Sequence, residues 1–180
     1  MPPTIRQEET ADAKTISALI IRAYQAVPYS DHHEHFMVER LRMSDAFVPE
    51  LSLIAETDDE PVGHILLTRV VVCNERFSTA SLSLAPLSVV PSHQRIGVGN
   101  ALVREAHWRA AQLGFRSVIL IGVPDYYERF GYQPMSRYPI TVPFEVPERN
   151  CMVLELVPNG LTGVSGTVIY PPEWMTHQTD

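Results

Sequence analysis

The spacing of apolar residues in the first part of the chain predicts two helices. A helix follows Thr10, because Thr is a residue type that caps helix starts and apolar side chains then recur at intervals of three and four. The apolar face of this helix consists of Ile16, Leu19, Ile20 and Ala23. Glu34 follows Asp31 at the spacing of a capping box, which predicts a second helix that ends near residue 43.

Short apolar runs bounded by turn residues predict the strands of a sheet. Residues 51–56 and 62–73 pair across a polar turn, and residues 80–90 return as a central strand. The run at 117–121 is continuously apolar, which is typical of a parallel strand buried on both faces. The predicted strands are residues 5–7, 51–56, 62–73, 80–90, 117–121, 132–134 and 151–158.

The predicted fourth and fifth strands are joined by a helix that begins beside two glycines, Gly97 and Gly99, and ends at Gly114. A strand–helix–strand crossover of this kind places the chain in the α/β class. Residues 125–130 form a further short helix. We expect one domain over residues 1–180, with residues 159–180 as a C-terminal extension that packs on the core and adds a strand near 164–170.

The two glycines suggest chemistry at the start of that helix. Backbone N–H groups in the first turn of a helix have no partners within it and bind anionic oxygens, and glycine lets a bulky phosphate approach. Leu102 stands where a dinucleotide-binding fingerprint needs a third glycine, and the chain contains no Gly-Lys-Ser or Gly-Lys-Thr for a nucleoside-triphosphate loop. A different phosphorylated cofactor is therefore indicated.

Two segments together resemble one family. Gln94-x-x-Gly97-x-Gly99 resembles the pyrophosphate-binding signature of the GCN5-related N-acetyltransferases (GNAT), which bind acetyl-coenzyme A. After one helix, residues 118–132 resemble the next segment of that family, with Tyr127 four residues before Gly131. The resemblance extends over roughly residues 4 to 158, and it is to a bacterial predicted-acetyltransferase branch.

The resemblance implies a GNAT fold, in which a mixed sheet of about seven strands is flanked by about four helices and is splayed between the parallel fourth and fifth strands. Pro86 fits the bulge of the fourth strand, since proline is found at bulges or edges. The pantetheine arm of acetyl-CoA would occupy the gap. The implied cofactor-binding residues are Ser88, Val89, Val90, Gln94, Arg95, Ile96, Gly97, Val98, Gly99, Asn100 and Tyr127.

The family pattern selects Tyr127, rather than Tyr126, as the acid that donates to the departing CoA thiolate. A phenol has a pKa near ~10 and is protonated at cellular pH. Alternatively, Tyr127 is an aromatic packed on the sheet whose hydroxyl bonds a backbone carbonyl. We expect Tyr126 to pack or to form a wall of the substrate site.

The sequence leaves three alternatives for the group that removes the proton from the amine. The fourth strand has Ser81, Ser83 and Ser88 but no carboxylate, and His64 on the preceding strand is the best titratable candidate. A lone histidine in an apolar strand is more often a hydrogen-bonded core residue. A water chain to solvent is the third alternative.

A histidine cluster lies near the predicted second helix and consists of His32, His33 and His35. The zinc signature His-Glu-x-x-His fails because Met37 stands at its last position, so we predict no metal site. In the resembled fold this segment borders the acceptor cleft. Together with Asp31 and Glu34, the histidines are candidates to bind a cationic substrate.

The composition limits the kinds of binding partner that we expect. With 180 residues, of which 45% are apolar, the chain can bury the core of one domain. Its net charge of −7 and lack of basic clusters argue against nucleic acid. The sequence shows no bilayer-spanning run and no secretory leader, so we expect a cytoplasmic protein without a membrane partner. Cys73 and Cys151 are expected to be buried free thiols, and a homodimer stays open.

The resemblance therefore implies an N-acetyltransferase that uses acetyl-CoA as co-substrate. The acceptor would be an amine of a small molecule or peptide, which attacks the thioester directly in a ternary complex. The alternative is a non-catalytic sensor that binds acyl-CoA. Such a sensor would retain the segment around Gly97 and Gly99 but would not need Tyr127.

Overall fold

One mixed sheet organises the computed structural model, which describes residues 2–175. Within these residues it has nine strands, and the main path runs in the order β1-β2-β3-β4-β5-β8-β6. The strands are β1 Thr4–Gln7, β2 Ser52–Thr57, β3 Glu60–Cys73, β4 Ser78–Val89, β5 Ser117–Ile121, β6 Gln133–Pro134, β7 Ile140–Thr141, β8 Cys151–Glu155 and β9 Gly166–Ile169. The helices are α1 Ala13–Tyr24, α2 Glu34–Arg42, α3 Val98–Gln112, α4 Pro124–Tyr127 and α5 Pro172–Met175.

The predicted α/β fold is confirmed, although the described sheet has nine strands rather than about seven. The additional strands are β7, which is only two residues long and gives no periodic signal, and β9, which pairs with both β3 and β7. No helix in the described part of the chain is long and apolar enough to cross a membrane.

Apolar side chains cover both faces of the sheet. On one face, α3 packs Leu102, Val103 and Ala106 against β2, β3 and β5. On the other face, α1 and α2 pack Ile16, Ile20 and Leu41 against side chains of β2 and β3.

The bulge predicted at Pro86 is confirmed. In the antiparallel pairing of β3 with β4, Leu67 lies opposite Leu84 and Ile65 lies opposite Leu87. Two residues of β4 therefore face one residue of β3, which bends β4 at this point.

The predicted splay is also confirmed. The parallel strands β4 and β5 pair only at Leu82 with Val118 and at Ser83 with Ile119. Past Ser83, β4 continues to Val89 along β3 without pairing with β5. A gap thus opens between the two strands toward their carboxyl ends.

The helix starts differ from the predicted caps. A 3₁₀ turn at Thr10–Asp12 precedes α1, and it is closed by the Asp12 carboxylate, which accepts the N–H of Glu9 at 2.7 Å. Thr10 is therefore not the cap. The capping box of Asp31 and Glu34 is also wrong, because α2 begins at Glu34 itself and the Glu34 carboxylate accepts the hydroxyl of Ser30 instead.

The C-terminal segment contacts both the sheet and α2. β9 pairs with the end of β3, and the indole N–H of Trp174 donates to the Thr68 hydroxyl at 3.4 Å. In α5, the backbone oxygen of Glu173 accepts from Arg40 at 3.1 Å, and its carboxylate accepts from Ser44 at 3.0 Å. The last part of the predicted extension, residues 176–180, lies outside the described residues.

Candidate active site

A tight turn carries the chain from β4 into α3. The side-chain amide of Gln94 donates to the Val89 carbonyl at 2.9 Å, which ties the turn to the end of β4. Arg95 and Gly97 have φ values of 63° and 99°, in the left-handed region. Gly97 is the N-cap of α3, and a Cβ there would meet no atom within 4 Å. Glycine is therefore favoured at 97 by its backbone angle, while the first amides of α3 stay open for an anion.

A cavity of about 480 Å³ lies over this turn and the splayed end of β4. Six of the predicted cofactor-binding residues line it, namely Val89, Gln94, Arg95, Gly97, Gly99 and Asn100. The side chains of Ser88, Val90 and Val98 are buried, and Ile96 is exposed. Those four residues and Tyr127 do not line the cavity, and their contribution to cofactor binding stays a prediction.

Three further residues line the cavity. Tyr126 was expected to pack or to form a wall of the substrate site, whereas Leu87 and Arg129 were missed by sequence reasoning. A Cβ on Gly99 would lie 2.6 Å from the hydroxyl of Tyr126, so Gly99 makes room for this side chain. The guanidinium of Arg129 lies 4.7 Å from the centre of the Tyr126 ring, within cation–π range. Tyr126 and Arg129 are three residues apart in the sequence. This spacing could have predicted their contact, because residues three apart on a helix are neighbours.

Tyr127 lies half-buried at the end of α4, in an aromatic cluster that includes Tyr126 and Tyr132 at ring distances of 5.0 and 5.6 Å. Its hydroxyl makes no hydrogen bond to any residue in the range 2–175. The alternative in which it bonds a backbone carbonyl is therefore not observed. Burial raises the pKa of Tyr127 above its usual value of 10, with smaller effects of Tyr24 and Tyr126, so the phenol stays protonated and able to donate.

The end of β5 fixes the position of Tyr127. The Asn150 side chain donates to the Gly122 carbonyl at 2.9 Å, and the Gly122 N–H donates to the Asn150 carbonyl at 2.9 Å. A Cβ on Gly122 would lie 2.6 Å from Cε2 of Tyr127. The ring therefore packs directly on the backbone of this glycine.

We expect Gly122→Ala to lower the free energy of unfolding by about 1–3 kcal/mol, because the added methyl group overpacks the Tyr127 ring. Urea denaturation measures this change. The double variant Gly122→Ala, Tyr127→Ala removes the clash with the ring and leaves only the 3.0 Å approach to Leu120, so the two single effects are expected not to add. If the two single changes in the free energy of unfolding simply added, the contact between residue 122 and the Tyr127 ring would be contradicted.

A second cavity, of about 290 Å³, lies on the α1/α2 side of the sheet. Its lining consists of Ile21, Tyr24, Gln25, His32 and Glu34. The Tyr24 hydroxyl donates to the Leu87 carbonyl at 3.1 Å, and Leu87 lines the first cavity. One hydrogen bond thus joins the walls of the two cavities beside the bulge of β4.

The structure places only some of the residues proposed to bind a cationic substrate at the second cavity. Glu34 and His32 line the second cavity, whereas Asp31 does not and instead accepts the N–H of His33 at 2.9 Å. His35 lies against the ring of Phe36, at a distance of 3.9 Å. In the part of the chain that the structure describes, no group of three or more His, Cys, Asp or Glu side chains is placed to hold a metal ion.

His64 lines neither of these cavities. It is fully buried, and its Nε2 lies 3.0 Å from the Ser52 hydroxyl and 3.5 Å from the Glu8 carboxylate. Glu8 also accepts hydrogen bonds from Ser52 and Arg42. Burial alone would raise the pKa of Glu8, but the hydrogen bonds with His64, Ser52 and Arg42 lower it to about 2. His64 is thus part of a buried hydrogen-bonded network.

This network predicts a loss of stability in acid. The pKa of Glu8 is lowered from 4.5 to about 2 on folding, so its contribution is complete above pH 4.5 and is lost as the pH falls toward 2. We expect Glu8→Gln to cost on the order of 2 kcal/mol at pH 7, and much less at pH 3, in urea denaturation. Glu60→Gln, at an exposed position, serves as the control. An equal loss at both pH values would contradict this assignment.

β4 has a bulge and leaves its parallel neighbour β5, and the start of α3 beside it has open amides. This combination defines the class of acyltransferases that take their acyl group from a CoA thioester.

Comparison with known proteins gives the family. A family model described as an acetyltransferase (GNAT) domain matches residues 49–134. The Escherichia coli K12 protein named as the uncharacterized N-acetyltransferase YjhQ is 31% identical over 166 residues, which cover 89% of each chain. The chain therefore belongs to the GNAT family.

Solved structures agree with this assignment. YhbS, a GNAT family N-acetyltransferase from Escherichia coli in complex with CoA, superposes with a TM-score of 0.87 at 25% identity, covering 98% of this chain and 93% of its own. A GNAT family acetyltransferase from Brucella melitensis in complex with acetyl-CoA gives a TM-score of 0.78 at 28% identity, covering 96% and 97%. The GNAT fold implied by the sequence is thereby confirmed.

Proposed function

We propose that the protein transfers the acetyl group of acetyl-CoA to an amine. The observation that carries this proposal is the 480 Å³ cavity, which connects the open amides of α3 with the part of β4 that has no pairing to β5. The YhbS and Brucella melitensis structures, which bind CoA and acetyl-CoA, support the same choice of cofactor.

The cavity residues divide into two parts with different roles toward the cofactor. The amides of residues 97–100, with Arg95 and Arg129 on the cavity wall, would bind the pyrophosphate. The backbone of residues 87–90 would bind the pantetheine arm along the open edge of β4. This order of contacts would direct the thioester toward Tyr127, whose ring lies 5.0 Å from that of the lining residue Tyr126.

In the proposed reaction the amine attacks the thioester carbonyl directly, within one ternary complex. A backbone N–H near Val89 would stabilise the oxyanion, as donors placed where charge develops lower the barrier. Tyr127 would donate its hydrogen to the departing sulfur. Because burial raises the pKa of Tyr127, a bare phenolate is disfavoured at this position. Tyr127 therefore donates best when it takes up a proton from the amine nitrogen as it gives its own proton to the sulfur.

The acceptor would reach the thioester from the second cavity. Glu34 is the acidic side chain on its wall, beside Tyr24 and His32, so a positively charged amine is favoured over a neutral one. The acceptor is then a small molecule or a peptide with an alkylammonium group. A cytoplasmic location and a homodimer stay predictions.

Two measurements test the proposal. Calorimetry with CoA and acetyl-CoA is expected to detect binding, and a panel of polyamines, amino acids and short peptides is expected to include amines that release CoA thiol from acetyl-CoA. Cationic amines should be more active than neutral amines of similar size. No heat with either coenzyme species would refute the proposed function.

A further inference from the structure

A buried polar pair on the α1/α2 face of the sheet has no role in the steps above. Ser88 in β4 and His64 in β3 lie directly opposite each other, so their side chains share one face with Cβ atoms roughly 5 Å apart. The hydroxyl of Ser88 and Nδ1 of His64 are both buried, and neither has a hydrogen-bond partner within residues 2–175. Buried polar atoms without partners are rare in folded proteins and call for an explanation.

The other side of the imidazole decides which nitrogen carries the proton. Glu8 is ionised at neutral pH because its pKa is about 2, so it accepts the single proton of the Ser52 hydroxyl. The Ser52 oxygen, 3.0 Å from Nε2 of His64, must then accept the imidazole N–H. Neutral His64 therefore carries its proton on Nε2 and presents a lone pair on Nδ1.

Tyr24 connects this pair to the acceptor side. Its side chain lines the second cavity together with Glu34, and its hydroxyl donates to Leu87, the residue before Ser88. Burial raises the pKa of Tyr24, while the nearby Ser88 hydroxyl acts in the opposite direction by favouring the phenolate. Tyr24 thus connects the cavity wall with the strand that carries Ser88. Proton transfer to Nδ1 of His64 requires the Tyr24 hydroxyl to turn from the Leu87 carbonyl to Ser88, and the Ser88 hydroxyl to turn to Nδ1.

We propose that Tyr24, Ser88 and His64 form a proton relay that deprotonates the acceptor ammonium group. This inference rests on the proposed function. Tyr24 is the member that touches the substrate. Ser88 and His64 act through it, and Glu8 and Ser52 hold the imidazole in place.

The proton transfers balance. The ammonium gives one proton to the Tyr24 oxygen, the Tyr24 proton moves to Ser88, and the Ser88 proton moves to Nδ1 of His64. The neutral amine forms the C–N bond while the C–S bond breaks. Tyr127 gives its proton to the sulfur and takes the second proton of the amine nitrogen. His64 releases its proton to solvent by the same path after the product leaves.

Kinetics of two variants test the relay with the most active amine of the panel. His64→Gln keeps an N–H near the Nε2 position but has no Nδ1 lone pair, and Ser88→Ala removes the central hydroxyl. We expect kcat to fall about 100-fold in each variant, as for loss of general-base catalysis, with an unchanged Kd for CoA. Ser83→Ala is the matched control, because it removes another buried and unpartnered hydroxyl from β4 and should leave kcat unchanged.

The pH profile separates a relay from a purely structural role. Burial lowers the pKa of His64 below 6.5, and the charged groups that face it are Glu8 beside β1 and Arg42 of α2. The wild-type kcat should rise with pH through a limb below 6.5 that His64→Gln abolishes. Glu8→Gln should move this limb to lower pH, because the imidazolium loses its counter-charge.

Imidazole ¹⁵N NMR of the full chain decides the inference even if no amine in the panel reacts. We expect a proton on Nε2, an unprotonated Nδ1, and an Nδ1 shift that changes in Ser88→Ala. A proton on Nδ1, or unchanged turnover in either relay variant, overturns the relay. Failure of the wild type to bind CoA would refute the proposed function instead, and the NMR result would still stand.

Discussion

Gly97→Glu is expected to abolish CoA binding while the protein stays folded. Gly97 lies at the N-cap of α3 with a φ of 99°, and a side chain at this position would extend into open space beside the amides that face the cavity. A carboxylate there would occupy the anion site and repel the pyrophosphate. We expect the Kd for CoA to rise by more than about 100-fold, as expected when like charges meet in a binding site.

Two control variants separate the effect of the added negative charge on CoA affinity from the effect of backbone strain at a positive φ. Gly97→Asn keeps the left-handed angle at little cost and adds no charge, so its effect on CoA affinity should be much smaller. Gly114→Glu introduces the same side chain at a φ of 88°, also in open space, at the opposite end of α3. It should match the Gly97→Glu variant in stability and the wild type in CoA affinity. Equal affinity in both glutamate variants would place the pyrophosphate elsewhere.

Tyr127→Phe is expected to lower kcat about 100-fold without changing the Kd for CoA. The substitution removes only the hydroxyl, which is protonated and makes no hydrogen bond to residues 2–175, so the aromatic packing on Gly122 is kept. Thiol release from acetyl-CoA with the best amine of the panel measures kcat, and calorimetry measures the Kd.

The matched control for this substitution is Tyr132→Phe. It removes a hydroxyl from the same aromatic cluster, where it is hydrogen-bonded to His107 at 2.9 Å and is buried away from the cavities. It should lower stability and leave turnover intact. If Tyr127→Phe turns over like the wild type, Tyr127 is not the acid. A wild type that binds CoA but never releases thiol would instead favour the acyl-CoA sensor.

The parts of the fold that depend on local pattern could be predicted from the sequence. The bulge at Pro86, the turn around Gly97 and the end of α3 at Gly114 each need a residue type with a special backbone, so the residue itself carries the information. The resemblance then supplied the splay of β4 and β5. It also selected Tyr127 as the candidate acid, which stays a prediction, and the structure shows that its hydroxyl makes no hydrogen bond within residues 2–175.

The missed features depend on contacts between distant segments. Glu8, Arg42 and Ser52 come from three distant segments. Glu8 and Ser52 contact His64 while Arg42 pairs with Glu8, and nothing in the local pattern around any of them indicates this. The predicted caps at Thr10 and Asp31 failed for a related reason. At the first helix the Asp12 carboxylate accepts the N–H of Glu9, and at the second helix no side chain caps the backbone, because Glu34 accepts from Ser30 instead.

The short pairing of β4 with β5 has a thermodynamic consequence. Two residue pairs join the strands β1 to β4 to the group formed by β5, β8 and β6, so amide groups at the open seam exchange with water more readily than those of a full ladder. Under the proposed function, the coenzyme bridges this seam. Thermal tolerance and hydrogen exchange should then depend on the concentration of acetyl-CoA, because a ligand that binds only the native state shifts the folding equilibrium by mass action.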